Sequence, residues 1–192
     1  MKVKLLYTIA LLSLVIAASG CKHATVPRPA GYFRIDLPEK KYQPLPDGYP
    51  YSFEYPVYAV INNKPTDNSR PYWINIEFPK YKAKIYISYY DVKKDLQRLT
   101  DDAHTLAYKH SVKADAIDEK VWRNDSTHVY GILYDVKCNA ASAAQFYMTD
   151  STSHFIRGSL YFMAEPNQDS LKPVIDFFRE DMIHLIETLS WK

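Results

Sequence analysis

Apolar and polar residues alternate in two neighbouring stretches near the middle of the chain, residues 72–78 and residues 82–90. A period of two is typical of a β-strand that buries one face. Only residues 79–81 separate the stretches, so we predict an antiparallel hairpin. The positions expected to face inward are Tyr72, Ile74, Ile76, Phe78, Ala83, Ile85, Ile87 and Tyr89. Residues 51–61 also predict a strand, in which Pro56 introduces a bend or an edge position.

The period changes to three and four residues after this hairpin. The apolar positions are Val92, Leu96, Leu99, Ala103, Leu106 and Ala107. This spacing predicts an amphipathic helix of about eighteen residues that ends near His110. A second apolar stripe, from Leu171 to Leu189, predicts a helix that closes the chain. Asp169 or Ser170 is its expected N-cap, with Pro173 in the first turn.

Four further strands are predicted between the helices, in residues 112–123, 128–136, 144–149 and 154–162. Polar turns join most of them, as hairpin connections require. The fold class is therefore α+β: a mainly antiparallel sheet of roughly seven strands packed with two amphipathic helices, on one face or one on each. The order of elements also resembles the PsbP/Mog1-like sandwich, where a strand with a Tyr-Pro pair, here Tyr55-Pro56, precedes hairpins and a helix.

The first twenty residues have the pattern of a secretory signal peptide. A basic head with Lys2 and Lys4 precedes the uncharged residues 5–17, a run too short to cross a bilayer comfortably as a helix. Ala18-Ser19-Gly20-Cys21 resembles the lipobox of bacterial lipoproteins, although Ala18 stands where leucine is commoner. In that processing a diacylglycerol alkylates the thiol, the chain is cut before the cysteine, and the new amine is acylated. We predict lipidation of Cys21, which would anchor the protein in a membrane; the alternative is an ordinary signal peptide with a chance cysteine.

The domain prediction follows from this segment. Residues 1–20 form the removed signal peptide, residues 21–30 a lipidated cysteine and short tether, and residues 31–192 a single globular α+β domain with a proline-rich start. Seven of the twelve prolines lie between residues 27 and 56. Because aromatic residues appear from residue 31 onward, we expect that segment to lie along the domain surface; docking on a partner is the alternative.

Charge and cysteine content narrow the function classes. Cleavage removes two of the 24 basic residues and leaves 22 against 22 acidic ones, so the mature chain carries no net formal charge. This balance does not favour a nucleic-acid partner. With Cys21 acylated, Cys138 has no partner for an intramolecular disulfide.

Candidate catalytic and metal-binding patterns are weak. The six histidines include no pair four residues apart, and the chain has no His-Glu-x-x-His or Cys-x-x-Cys motif. Residues 150–154 contain the residue types of a catalytic triad, but adjacency in sequence favours a turn. Acidic pairs such as Asp101-Asp102 and Asp118-Glu119 suit solvated faces. We therefore predict no enzyme activity, catalytic residues, metal, cofactor or small-molecule substrate.

The aromatic content allows either a packing or a binding role. Seventeen tyrosines and three tryptophans exceed what the core requires. Trp73, Tyr86 and Tyr90 fall on the polar faces of the first hairpin, opposite its apolar rows. They either lie beneath a helix or form a platform for a protein or a glycan, since Tyr and Trp provide large contact areas at low entropic cost.

Several longer passages resemble the gliding motility lipoprotein GldD family. They are GYFRIDLPEK from Gly31, YKHSVKADAI from Tyr108, YGILYDV from Tyr130, NAAS from Asn139 and HLIETLSWK from His184. The resemblance covers the chain from the lipobox to Lys192. It implies a cell-envelope lipoprotein required for gliding motility and the associated type IX protein secretion machinery, with other proteins of that apparatus as partners. It implies no catalytic residue or cofactor, and Cys21 is the one functional position that carries over.

The resemblance also bears on location and on the choice between functions. Outward-facing lipoproteins of such bacteria often carry acidic residues after the cysteine, which Lys22-His23-Ala24 lacks. We therefore expect a periplasm-facing protein on the outer membrane, with the inner membrane as the alternative. Three hypotheses remain: a non-catalytic assembly or stabilising factor, a module that binds an envelope polymer such as peptidoglycan through its aromatics, and, more weakly, a hydrolase assembled only in the fold.

Overall fold

Eleven strands and two α-helices are formed by the residues that the computed structural model describes, 35–63, 70–109, 116–137, 142–163 and 168–192. All of them lie in the second of the two units into which the chain divides, Tyr32–Lys192. The strands are β1 (Tyr42–Pro44), β2 (Tyr51–Ser52), β3 (Glu54–Pro56), β4 (Val60–Asn62), β5 (Ile74–Phe78), β6 (Ala83–Asp91), β7 (Ala116–Asn124), β8 (Val129–Lys137), β9 (Ser142–Thr149), β10 (His154–Phe162) and β11 (Ser190–Trp191). Helix α1 (Leu96–Tyr108) follows β6, and helix α2 (Gln168–Glu187) follows β10.

Seven strands make one antiparallel sheet in the order β4-β5-β6-β10-β9-β8-β7. The predicted first hairpin is confirmed, with Ile74 opposite Ile87 and Ile76 opposite Ile85. A single 3-10 turn, Pro79–Tyr81, joins its strands, and Lys82 completes the turn in the left-handed conformation. Sheet order places β10 beside β6, so the last hairpin of the chain pairs with the first.

The main core lies between one face of this sheet and α2. Phe178 of α2 is fully buried and its ring centre lies 4.4 Å from that of Phe78. Gly158 of β10 leaves room for the Phe146 ring, which an added Cβ would meet at 2.1 Å. The large fully buried side chains of this core include Phe53, Phe78, Phe146, Phe178, Ile74, Ile76, Ile85, Ile87 and Met148.

Helix α1 lies on the opposite face of the sheet. Its residues Leu99 and Ala103 form a separate small core with Phe155 of β10. The sheet therefore carries one helix on each face, as one of the two predicted arrangements has it, and the α+β class is confirmed.

Two short ribbons outside the large sheet were not predicted. Strands β1 and β3 pair near the start of the described chain, and β11 pairs with β2, so that Trp191 lies opposite Tyr51. The predicted strand at residues 51–61 is consequently wrong as a single element. It is divided into β2, β3 and β4, and Pro56 ends β3 where the chain turns, as the predicted bend requires.

Both helices begin elsewhere than the sequence predicts. Helix α1 starts at Leu96 and spans 13 residues, because Lys94 takes a positive φ of 63° that breaks the helical path after Val92. Helix α2 already includes Asp169 and Ser170, so neither is its N-cap. Pro173 lies inside the helix, beyond its first turn, and therefore removes one backbone hydrogen bond.

The boundaries of the strands differ less from the predicted ones than the starts of the helices do. Tyr72 does not face inward with Ile74, since it has a positive φ of 66° and a side chain 45% exposed. The strand predicted at residues 112–123 is observed as β7; the first part of that range lies outside the described residues. Residues 35–41 do run along the domain, where the Asp36 carbonyl accepts a hydrogen bond from Tyr81 at 3.0 Å.

Candidate functional site

A groove runs along α1 where the helix crosses the sheet, and we call it the α1 groove. It consists of two adjoining clefts of about 380 and 360 Å³. Both clefts are lined by Arg70, Tyr90, Arg98 and Leu99, so they form one continuous depression. The first cleft extends along residues 71–72 and 89–95, and the second along the helix towards Lys109, with Phe155 and Arg157 of β10 as its sheet-side wall.

Sheet register places Tyr90 and Phe155 in this groove. They are direct partners on β6 and β10, and their side chains point to the α1 face because the neighbouring Tyr89 and Ile156 face the main core. Their rings meet edge to face at 6.3 Å. Leu99, Ala103 and Leu106 of α1 complete an apolar wall above them.

Three cations line the second cleft without a carboxylate partner among the described residues. Arg70 lies over the rings of Trp73 and Tyr90, at 5.9 and 5.6 Å from their centres, in cation–π contacts. Lys109 is exposed at the end of α1. Arg157 donates a hydrogen bond of 2.6 Å to Oε1 of Gln145. Burial lowers the pKa of the Arg157 guanidinium, against the opposing influence of Tyr161 and Tyr90.

Arg98 differs from these three because it is already paired. It forms salt bridges with Asp95 and Asp102 on the outer side of α1. The pKa of Asp95 is held below its usual value by a hydrogen bond from the Lys93 backbone N–H and by Arg98. The two clefts together contain five basic residues and three acidic ones, Asp91, Asp95 and Asp102.

Of the three predicted binding aromatics, Tyr90 lines the groove, Trp73 lies beside it in contact with Tyr90 and Arg70, and Tyr86 lies elsewhere. Trp73 and Tyr90 contact each other edge to face at 5.5 Å, and the Trp73 indole N–H donates a hydrogen bond of 2.8 Å to the Tyr89 carbonyl. Tyr90 packs on the core beneath α1, which is the alternative to an open platform. Tyr86 lies four residues further along β6, roughly 13 Å away along the strand, and contacts Tyr161 instead.

Tyr86 is part of a polar row that crosses the α1 face of the whole sheet. One residue from each strand contributes, and each is the direct register partner of the next. The row is Asn62, Asn75, Tyr86, Ser159, Gln145, Tyr134 and Glu119. Gln145 and Ser159 are almost fully buried, and Nε2 of Gln145 and Oγ of Ser159 have no hydrogen-bond partner among the described residues. The α1 face of the sheet therefore carries a row of polar side chains next to the groove.

A separate cleft, of about 650 Å³, lies at one end of the large sheet, and we call it the end cleft. It is lined by residues 126–128, Asp150, Thr152, His154 and residues 190–192. The His154 and Trp191 rings stack at 5.3 Å with an interplanar angle of 7°. The Trp191 indole N–H donates to the His128 carbonyl at 3.0 Å. Sequence reasoning missed this cleft because its residues come from three distant parts of the chain.

His154 is positioned by a chain of hydrogen bonds behind the end cleft. Its Nδ1 lies 2.8 Å from the Tyr89 hydroxyl, which lies 3.0 Å from Oδ1 of Asp91. Burial and the hydrogen bond to Asp91 raise the pKa of Tyr89, so this hydroxyl stays protonated. The Tyr89 hydroxyl has one proton, which it donates to the Asp91 carboxylate. It must therefore accept from His154, so the favoured tautomer of His154 carries its proton on Nδ1.

The turn predicted at residues 150–154 is confirmed. Its backbone N–H groups bind the Asp150 carboxylate, which a catalytic triad would need to orient its histidine. Oδ1 of Asp150 accepts hydrogen bonds from the backbone N–H groups of Thr152, Ser153 and His154, all at 2.8–2.9 Å. The described side-chain hydrogen bond of His154 goes to Tyr89, and not to Ser151 or Ser153.

The remaining sequence candidates do not converge on a site. Cys21 and Cys138 lie outside the described residues. Asp101 and Asp102 face solvent on α1, whereas Asp118 and Glu119 lie on the edge strand β7. In the described part of the chain, no three His, Cys, Asp or Glu side chains are grouped as metal ligands. No helix in that part has the length and apolarity needed to cross a membrane.

Comparison with known proteins identifies the family. A family model of the gliding motility lipoprotein GldD matches residues 22–191. The chain belongs to the GldD family. Membership makes it a membrane-anchored lipoprotein of the cell envelope that is related to gliding motility, and it confirms the resemblance found in the sequence.

Other comparisons add little to the GldD assignment. None of the curated proteins matches the chain. Among solved structures, the solution structure of cyanobacterial PsbP (CyanoP) from Synechocystis sp. PCC 6803 is similar. It shares 15% identity over 86% of this chain and 100% of its own, with a TM-score of 0.49. The α+β architecture rests on the strands and helices described above.

Proposed function

We propose that this GldD family member is a non-catalytic assembly or stabilising factor for the gliding apparatus and the associated type IX secretion machinery. The observation that carries this proposal is the α1 groove. It combines an apolar wall, aromatic rings held in place by protein contacts, and arginine side chains without a carboxylate partner among the described residues. Tyrosine, tryptophan and arginine are enriched among the few residues that dominate binding at protein interfaces.

The shape of the groove favours a segment of a partner protein over a small substrate. The two clefts follow each other along the 13-residue helix, so the depression is elongated and open. Apart from Thr105 and the carboxylates Asp91, Asp95 and Asp102, its side chains are cationic, aromatic or aliphatic. Asp95 and Asp102 already form salt bridges with Arg98, so the groove is better suited to binding a partner segment than to catalysis.

The same proposal places the protein on the outer membrane, facing the periplasm. Its support is the lipobox-like Ala18-Ser19-Gly20-Cys21 and the absence of acidic residues in Lys22-His23-Ala24. A lipid at Cys21 would keep the folded domain close to membrane-bound parts of the apparatus, which raises its effective concentration there.

Crosslinking in living cells tests this function. A photoreactive phenylalanine analogue replaces Thr105 in the α1 groove, and a control strain carries it at Val121, which is 76% exposed on the edge strand β7. We expect illumination to join Thr105 variants to one defined protein of the gliding or secretion apparatus. Capture of the same protein with equal yield at Val121, or of none at Thr105, would overturn the proposal.

A second candidate function, binding of an envelope polymer such as peptidoglycan, is favoured by the end cleft. There the Trp191 ring lies beside polar groups of Asp150 and Thr152, a combination that suits a sugar. The groove aromatics fit this function less well, because the Arg70 guanidinium lies over the rings of both Trp73 and Tyr90. Co-sedimentation with purified peptidoglycan separates the sites: Trp191→Ala should abolish binding and Tyr86→Ala should not.

A further inference from the structure

We propose that the second cleft of the α1 groove recognises a carboxylate on an acidic, partly apolar peptide segment of the partner, with Arg157 as the central ligand. This inference rests on the proposed partner-binding role of the groove and adds the chemistry of what it binds. The carboxylate would be held by Arg157 at the floor, and Arg70 and Lys109 would face it from the rim.

Arg157 is the residue that singles out this position. It extends from the middle of β10 on the α1 face, and its direct neighbours in register are Ser88 on β6 and Tyr147 on β9. Neither neighbour is acidic. A guanidinium has five N–H donors, and the described contacts of Arg157 use one nitrogen, Nη2, towards Gln145. Arg157 lines the cleft, and the planar fork of a guanidinium matches the geometry of a carboxylate.

Gln145 fixes the direction in which Arg157 points. Its side chain is almost fully buried in the polar row, and its Oε1 accepts the 2.6 Å hydrogen bond from Nη2. Arg157 is half-buried, and because the amide that positions it is neutral, its charge is not cancelled by that contact. This differs from Arg123 on β7, whose guanidinium is neutralised by Asp125 at 3.0 Å.

The surroundings favour a carboxylate on a peptide over a phosphate group. The charges alone would attract either anion, because Asp102 is already paired with Arg98, so the apolar part of the lining distinguishes the two ligands. Beside the cations lie Leu99, Leu106 and Phe155, which would bury an apolar side chain next to the acidic one. An acidic residue followed or preceded by an aliphatic one matches both halves of the site.

Peptide binding to the purified full chain in neutral detergent micelles tests the inference. The probes are a fluorescent peptide of alternating leucine and glutamate, the same peptide with glutamine in place of glutamate, and inorganic phosphate as competitor. Since charge-assisted hydrogen bonds are roughly twice as strong as neutral ones, we expect the glutamate peptide to bind about tenfold more tightly. The preference should shrink as salt is raised.

Variants test whether the preference for the glutamate peptide arises in the second cleft of the α1 groove. Arg157→Gln should remove the roughly tenfold preference for glutamate, and Arg123→Gln, which makes the same change of charge outside the groove, should retain it. If Arg157→Gln fails to fold, Arg70→Gln with Lys109→Gln at the exposed rim should still reduce the preference.

The outcomes distinguish this inference from the proposed function. Equal binding of the two peptides would overturn carboxylate recognition, while crosslinking at Thr105 would still support the groove as a partner site. Competition by phosphate at concentrations that leave ionic strength unchanged, together with no peptide preference, would show that the cleft takes a phosphate group instead. A preference that survives in both the Arg157 and the rim variants would place recognition elsewhere.

Discussion

Asp181 shows how single residues connect the start of the described chain to its last helix. Its carboxylate is buried and accepts hydrogen bonds from Lys40 at 2.7 Å, Tyr42 at 3.0 Å and Tyr58 at 2.8 Å. Burial raises the pKa values of both tyrosines, and the contact with Asp181 adds to the effect, so their hydroxyls remain donors. Lys40 also donates to the Phe177 carbonyl at 2.6 Å. Four polar side chains from distant segments thus satisfy one another inside the protein.

Asp181→Asn should therefore destabilise the protein strongly. We expect a loss of about 2–4 kcal/mol, because the hydrogen bonds to a charged acceptor are weakened and Lys40, whose side chain is 26% exposed, loses its closest anion. Urea unfolding followed by circular dichroism measures this loss. Asp176→Asn on the same helix is the matched control, since the Asp176 side chain is 40% exposed whereas that of Asp181 is fully buried, and the expected loss is at most about 1 kcal/mol. Equal losses in the two variants would contradict the buried network.

A second residue-scale prediction concerns acid stability through Asp150. Burial raises the pKa of this carboxyl, but the hydrogen bonds from His154, Ser153 and Thr152 outweigh it and lower the pKa to about 2. A depressed pKa stabilises the fold above the unfolded value of 3.8, and this contribution is lost as the pH falls towards 2. After allowance for solvent screening it amounts to about 1 kcal/mol.

Asp150→Asn isolates that contribution. The variant should be less stable than the wild type at pH 7 by about 1 kcal/mol, and the difference should shrink as the pH is lowered from 4 to 2. Urea unfolding at a series of pH values provides the comparison. A difference that stayed constant across this range would show that the carboxylate charge does not stabilise the turn.

The limits of sequence reasoning are also visible at single residues. Trp73 and Tyr90 could be selected because they break the alternation of one hairpin, and the structure does bring these two together. Arg157 carried no such signal, since one arginine in a strand is ordinary. Its importance arises from the register of β10 against β9, which places it beside Gln145 and below α1. Information of this kind is non-local, and the sequence pattern does not contain it.

At the scale of elements, the strands with a clear period of two were predictable and the short ribbons were not. Strand β10 has the predicted bounds, because its alternating residues lie between one buried and one partly covered face. Strands β2 and β11 have two residues each and pair across most of the chain, from Tyr51 to Trp191. Two residues show no periodicity. The start of α1 was missed for a different reason: the positive φ of Lys94 has no counterpart in residue type.

Helix α2 provides the element-scale prediction. Phe178 is fully buried and contacts the rings of Phe78, Tyr81 and Phe162, so Phe178→Ala would leave a cavity. Such a truncation costs about 3–5 kcal/mol, a large part of a net stability of roughly 5–15 kcal/mol. We expect less protein in cells by immunoblot and weaker gliding as a consequence.

The matched control for Phe178→Ala is Val121→Ala, which truncates an exposed apolar residue and should change neither abundance nor gliding. If Phe178→Ala left stability unchanged, α2 would not be packed on the sheet as described.

At the scale of the whole molecule, the groove variants separate folding from function. Arg70 and Lys109 are exposed and have no ion pair among the described residues, so reversing both charges should leave the core intact. Arg70→Glu with Lys109→Glu should therefore keep normal abundance and yet impair gliding, in contrast to Phe178→Ala. Immunoblots beside motility assays distinguish the two cases. Lost abundance in the double variant would make the groove a structural feature and remove the support for partner binding.

The lipid anchor determines where this surface can act, and it is the second property of the whole molecule that a variant can test. Cys21 follows two small residues and an uncharged run in a chain of a lipoprotein family. We expect Cys21→Ala to abolish incorporation of a fatty-acid analogue and to release the protein from the membrane fraction. The described core lies within Tyr32–Lys192, so the melting temperature of the purified variant should match that of the wild type.

Cys138→Ala is the control for the anchor, because it removes the other cysteine of the chain and should retain both label and membrane association. Equal labelling of Cys21→Ala and the wild type would show that the anchor lies elsewhere. If the released Cys21→Ala protein still supported gliding at normal abundance, the groove would act without being held at a membrane. The proposed gain in effective concentration would then play no part in the function.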